Sequence, residues 1–412
     1  MWGTVRATGR VTNTFQAADR AGRASLRTGP RRPFAVHTTA LLLLVACSLA
    51  GCRSSTPEVR EVRIGLIAPI TGDLAYLGQA TVEAAKLAER EANDQGGLVV
   101  GGQKYRLNLI IEDDTDSQEV AVRVAKKLIN LDDVAVIVGP QLSRDAIPAA
   151  NVAERSRIPM ISPASTNPQT TAGKSYVYRA AFIDPFQGSV MARFAHEDLH
   201  ASRTAVLFDV ASAYNRGIAE SFRKAYEDLG GTIVAYETYT TGETDFHSQW
   251  EHIAASNPDV VYLPNYDYEI VPQVQQAKAM GLNFQYIGAD AWGALPPNMR
   301  EQLNGGYFTT HYAPDIGGAE AQHFFSSYTK AYGDAPIDLA ALTYDAFHLL
   351  FQAMADERRT TPEAIRAGLA GIRHFTGVTG TFEYRGTGDP VKSAAVVTIQ
   401  DGKFVYHKSV AP

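Results

Sequence analysis

Residues 139–168 read GPQLSRDAIPAANVAERSRIPMISPASTNP, and this stretch decides the fold. Val134 to Val138 ahead of it (VAVIV) is a short, mostly β-branched apolar run, the pattern of a buried parallel strand. Gly139 and Pro140 end that strand. Ser143 stands where an N-cap is expected, before a helical run from Asp145 to Ser156. A second short strand, Pro159 to Ser162, runs into Pro163–Pro168, a loop of hydroxyls and free backbone amides. Two strand ends, each followed by hydroxyls and unpaired N–H groups, suit a small carboxylate.

Outward from this stretch, strands and helices alternate. Upstream lie the strand Val62–Pro69, a helix over Gly78–Asn93, the strand Leu107–Ile111 and a helix ending at Leu131. Downstream, a second series begins near Ile183. It holds a helix to Leu199, strands at Thr204–Phe208, Ile233–Tyr239, Val260–Leu263, Phe284–Gly288 and Gly306–Thr310, and helices between them. Helices at 319–332, 339–354 and 362–371 follow, then a hairpin from Gly380 and the strand Ala394–Ile399. Alternation of this kind marks doubly wound parallel sheets, and two series of similar length predict two α/β lobes, cut near residue 183. The acidic run Glu112–Ser117 lacks the central Gly and distant Glu of a calcium loop. It reads as helix capping by Asp116 or Ser117.

Thr38–Ala50 is apolar but shorter than a bilayer span, the form of a signal-peptide core. Leu49-Ala50-Gly51-Cys52 directly after it is similar to a bacterial lipobox, which makes Cys52 the expected lipidation site, residues 1–52 a lipoprotein signal peptide and 53–59 a linker. Arg31-Arg32-Pro33-Phe34 fits a partial twin-arginine signal or a generic basic segment. The only cysteines are Cys47 and Cys52, so disulfides and thiol catalysis are excluded for the body. Without the seven Arg and one Asp of residues 1–52, the body keeps 31 basic and 43 acidic side chains, a net of −12. An acidic body with no basic run argues against nucleic acid.

His196-Glu197-Asp198-Leu199-His200 matches H-E-x-x-H, in which two histidines one helical turn apart bind zinc and the glutamate serves as base. The motif stands at the end of its helix, just before a strand. Solvated histidines at a helix C-terminus, favourable to the dipole, account for it. No G-x-S-x-G elbow, Walker loop or G-x-G-x-x-G follows any of these strands.

The pair G-P-x-x-S (Gly139–Ser143) and P-x-I-S-P-x-x-T-N-P (Pro159–Pro168) resembles the periplasmic binding proteins of the branched-chain amino acid transport family. The resemblance covers nearly all of Val62–His407. It implies a type I periplasmic-binding-protein fold: two doubly wound parallel-sheet lobes joined by a three-crossing hinge. One lobe would be 60–183 plus 313–386 and the other 184–312 plus 387–412. It further implies that Ser143, Thr166 and the backbone around Ala164 and Ser165 take the ligand's α-carboxylate. Asp290 would replace the family's usual glutamate as ammonium partner, with Tyr214 and Tyr266 lining the pocket. Leu77 stands where the family commonly has tryptophan. Tyr76 beside it, and Trp292 from the other lobe, would touch the ligand side chain. The implied protein is a monomeric, lipid-anchored, extracytoplasmic binding protein of an ABC importer. It would use no cofactor, catalyse nothing and deliver a small amino acid to a permease by hinge closure. A same-fold sensor for amides, urea or aromatic acids is the alternative reading, and a zinc hydrolase the remote one.

Overall fold

The computed structural model describes residues 60–313 and 318–412, so the signal-peptide, linker and Cys52 assignments lie outside the described residues. The apolar runs become β1 (Arg60–Ala68), β2 (Leu98–Val100), β3 (Gln103–Asp113), β4 (Val136–Val138), β5 (Met160–Ser162) and β6 (Val177–Arg179). They form one sheet in the order β2-β3-β1-β4-β5-β6, parallel except where β2 meets β3. Every residue of β4, β5 and β6 is buried, as expected of parallel strands covered on both faces.

A second sheet is built from β7 (Arg203–Asp209), β8 (Thr232–Tyr239), β9 (Val260–Leu263), β10 (Gln285–Gly288) and β11 (Tyr307–Thr310). The chain then lays down β12 (Phe375–Gly377), β13 (Gly380–Tyr384) and β14 (Pro390–Val391) as a small antiparallel sheet. It returns to the second sheet with β15 (Ala394–Gln400) and β16 (Lys403–Val410), giving β16-β15-β11-β10-β9-β7-β8.

Helix packing sorts the rest. The Asp338–Glu357 helix lies against the Ala75–Asp94 helix, and its Ala340, Leu342 and Phe347 share one core with Ile64 and Leu66 of β1. The Asp184–Arg193 helix lies against the Ala213–Asp228 helix beside the second sheet. The sheets and their helices make two α/β bodies: the chain enters the second sheet after β6, leaves it after β11 and returns to it with β15, while β14 still pairs with β13 of the small sheet.

Four elements differ from expectation. β2 and β6 have three residues each, too short to show a period. β16 mixes Lys and His into an edge strand of intermediate burial. The helix expected to reach Leu199 stops at Arg193 and relaxes into a π-helical turn, Phe194–Asp198.

Candidate functional site

A cleft with about 460 Å3 of unfilled space opens between the two bodies at the C-terminal ends of β1, β4, β9 and β10. That is where ligands sit in open α/β sheets. The first body contributes Leu77, Gln141, Leu142, Ser143, Ala164, Asp338, Leu339 and Leu342. The second contributes Tyr214, Tyr266, Asp267, Asp290, Ala291 and Ala294.

On the first body, β4 ends at Gly139, whose φ is +94°. A Cβ there would stand 2.1 Å from the Ile67 carbonyl oxygen, so only glycine allows the turn. The helix after it runs Ser143–Ser156 with Leu142 at the N-cap position, so Ser143 is its first residue rather than its cap. Its hydroxyl is not spent on the helix end. It lies 2.9 Å from the Ser165 hydroxyl and accepts from the Asn167 amide at 3.4 Å. The Ser162 hydroxyl donates to the Pro140 carbonyl at 2.7 Å, tying the 139–143 and 163–168 loops together.

Arg179, wholly buried, holds the second loop from behind. Its guanidinium donates to the carbonyls of Ser165 (2.5 Å) and Asn167 (2.8 Å) and to the Thr171 hydroxyl (2.8 Å). It also stands 2.8 Å from the Asp389 carboxylate. Two of the loop's own amides are bonded within it, Ser165 N–H to the Ser162 hydroxyl at 3.3 Å and Asn167 N–H to the Ser143 hydroxyl.

On the second body, Tyr214 donates its hydroxyl to Asp290 Oδ1 at 2.7 Å, and the His311 ring Nε2 stands 3.3 Å from Asp290 Oδ2. Burial pushes the His311 pKa down to about 4, against the pull of Asp290, so the ring is neutral at pH 7. Tyr266 stacks on Tyr214 with ring centres 4.9 Å apart. Its backbone amide donates to the Glu269 carboxylate at 3.0 Å, which fixes the start of the Asp267–Ala279 helix.

Contacts between the bodies ring the cleft. The Asn167 side-chain amide donates to the Ala213 carbonyl at 2.8 Å. The Arg144 guanidinium lies over the Tyr266 ring at 5.7 Å. The Tyr76 hydroxyl reaches both carboxylate oxygens of Asp267, at 2.6 and 2.7 Å. Burial raises the Asp267 pKa to about 6, while the Tyr76 hydrogen bond works in the opposite direction.

Of the residues expected at the ligand, Leu77, Ser143, Ala164, Tyr214, Tyr266 and Asp290 line the cleft. Ser165 and Thr166 are buried beneath it: the Ser165 hydroxyl bonds Ser143 and Thr170, and Thr166 supports Asp184. Tyr76 closes the mouth instead of lining the cavity. Trp292 is a correction. Asp290–Ala294 is a 3-10 turn, which sets residues 290 and 292 about 120° apart around its axis, so they face different sides. Trp292 therefore packs over Gly288 in the core and donates its indole N–H to the Leu263 carbonyl at 3.0 Å.

Asp267, Asp338, Leu339 and Leu342 were missed because each reads as part of its helix. Asp267 and Asp338 resemble first-turn acids, and the two leucines resemble core. The acidic run 112–117 is spent locally. Asp113 accepts from Ile70 and Thr71, Asp116 pairs with Arg144 and Glu112 with Lys127, while Ser117 makes no side-chain cap. In the H-E-x-x-H stretch the π-helical turn and a left-handed His200 (φ 54°) remove the one-turn spacing of the two histidines. Among the described residues no cluster of three or more His, Cys, Asp or Glu side chains is placed to hold a metal ion. Among the same residues no helix is long and apolar enough to cross a membrane.

Two open α/β bodies with a small, largely apolar cleft carrying a few polar groups between their strand ends have the form of a ligand-binding protein. A model of the periplasmic binding protein family matches residues 61–403, and the chain belongs to that family. It is similar to an amino acid binding protein of Pseudomonas aeruginosa, 34% identical over 61% of this chain, an alignment that spans 65% of that relative's length. Among solved structures it resembles a leucine binding protein of Thermotoga maritima, at 31% identity and a TM-score of 0.79 over 85% of this chain and 99% of that one. It also resembles the branched-chain amino acid transporter substrate binding protein of Streptococcus pneumoniae, solved with isoleucine. There the identity is 30% and the TM-score 0.78, over 86% of this chain and all of the other.

Proposed function

We propose that this chain is the extracytoplasmic binding component of an ABC importer and that it captures a small α-amino acid between two lobes. The lobes are the first body, 60–183 plus 313–391, and the second, 184–312 plus 392–412, the last boundary set by the pairing of β14 with β13. The observation that carries the reading is the split of polar groups across one cleft: hydroxyls and loop amides on the first body, and a Tyr214-supported carboxylate on the second. An α-amino acid carries the complementary pair, a carboxylate for the first wall and an ammonium for Asp290. Leu77, Leu142, Leu339 and Leu342 give an aliphatic side chain its surroundings. Asp290 is one methylene shorter than the glutamate common in the resembling family, so the ammonium sits deeper or is reached through water. Ligand joins the lobes, and the closed form, held by contacts such as Tyr76–Asp267 and Asn167–Ala213, is what a permease recognises. Cys52 carries the lipid that keeps the protein at the membrane.

A thermal-shift screen against the amino acids, then urea, short amides and aromatic carboxylates, tests this. A ligand at a hundred times its dissociation constant adds about 2.7 kcal/mol of stability. The expected outcome is a response confined to one class of amino acids. Silence from all of them with a response to amides or aromatic acids would leave the fold and remove the amino acid.

A further inference from the structure

The second wall's carboxylate is already engaged. Asp290 Oδ1 accepts from Tyr214 and Oδ2 faces the His311 ring nitrogen. An ammonium has three N–H donors to place, and a deeper seat brings it toward the floor of the cleft. On that floor lies Asp338, the first residue of the 338–357 helix, 4% exposed and part of the cleft lining. Its Oδ2 accepts from the Thr310 hydroxyl at 3.2 Å, and the Leu339 amide lies beside the carboxyl. Its Oδ1 is buried with no donor. Gly293 of the opposite body packs its backbone against the carboxyl: a Cβ there would stand only 3.1 Å from the Asp338 Cγ, so the close approach needs glycine.

We propose that Asp338 is a second acceptor for the ligand's ammonium, so that one carboxylate from each body, Asp338 and Asp290, grips the same amine. The inference rests on the amino-acid reading above and narrows it to ligands with a primary ammonium. A buried carboxylate oxygen without a donor is costly, and an incoming cation relieves that cost. The grip also links binding to closure, because the amine would be bonded to both bodies at once.

The other charged groups around Asp338 leave this role open. Lys392 is buried nearby, but its ammonium donates to the Ala180 carbonyl (3.1 Å) and the Thr379 hydroxyl (2.6 Å), with Asp345 as its strongest charge partner. His311 is neutral at pH 7. Asp184 and Asp290 add only negative charge. Burial first, then the charge of Asp290, pushes the Asp338 pKa up to about 7, with Thr310, Leu339 and Lys392 acting against the shift. A ligand ammonium favours the charged carboxylate, so binding near neutral pH should release protons. Asp184, raised by burial to about 7 beside the same Asp290, can contribute to the release.

The test is titration calorimetry at pH 6.5 on the wild-type protein, in two buffers of different ionisation enthalpy. The probes are L-leucine, L-alanine, L-phenylalanine and L-lysine, with N-methyl-L-leucine as the amine-blocked control. The expected result is release of a measurable fraction of a proton on binding, and at least tenfold weaker binding of the N-methyl compound than of leucine. Asp338→Asn, nearly isosteric and able to keep its contact with Thr310, should weaken binding at least tenfold and reduce the release. Asp184→Asn should leave affinity within about threefold. Wild-type binding with an Asp338→Asn affinity within twofold and unchanged proton release would overturn the role of Asp338 alone. Failure of the wild type to bind any of the four amino acids would overturn the amino-acid reading with it. If Asp338→Asn does not fold, the wild-type proton release and the N-methyl comparison decide, and absence of both would overturn the proposal.

Discussion

In the proposed reading, the two walls of the cleft recognise by different means. The first uses loop amides and small hydroxyls, all within residues 139–168 and braced by one buried guanidinium, Arg179. The second uses whole side chains, Tyr214, Tyr266 and Asp290, brought together from three strand ends. A backbone wall tolerates changes to single hydroxyls but depends on the brace behind it. A side-chain wall depends on each of its members. Substitutions should therefore act in opposite ways on the two walls.

The largest effect should come from the brace. Arg179→Ala leaves the loop carbonyls and Asp389 without their cation, and breaking a buried ion pair costs about 3–5 kcal/mol. Chemical denaturation should show a loss of that size. Unchanged stability would mean the loop holds itself. Next is Asp290→Ala. Removing the carboxylate from a buried charge pair costs about 2–5 kcal/mol of binding, thirtyfold or more in affinity. It should exceed the effect of Tyr266→Phe, and equal affinities for wild type and Asp290→Ala would take Asp290 out of the site. Ser143→Ala removes one hydroxyl among several donors, so about 1 kcal/mol, roughly fivefold, is expected. A loss of a hundredfold would make the first wall as side-chain-dependent as the second. Smallest is Trp292→Phe, which should lower the melting temperature and leave affinity within about twofold, since the indole points into the core.

The same contrast explains what the sequence made legible. The first wall lies in one contiguous stretch, and its strand-loop-helix punctuation can be read residue by residue. Tyr214 and Asp290 were accessible because each closely follows a strand end. What failed was direction. Tyr76 and Trp292 sit beside true lining residues, Leu77 and Asp290, but local backbone geometry turns one to the mouth and the other to the core. Asp338, Leu339 and Leu342 come from a helix more than 170 residues beyond the first wall, and nothing local marks a helix start as a cleft floor. The passages between the bodies came from the family resemblance, because strand alternation alone predicts a single cut near residue 183. The final passage moved to follow Val391 because the two-residue strand β14 gives no pattern to read.

The central claim is that the cleft reads a carboxylate on one wall and an ammonium on the other. Calorimetric titration of the best-bound amino acid, beside its amide and its decarboxylated amine, tests that most directly. Removing the carboxylate charge or the whole carboxylate should weaken binding at least tenfold, and the deaminated acid should bind more weakly still. Equal affinity for the amino acid and its deaminated acid would contradict it.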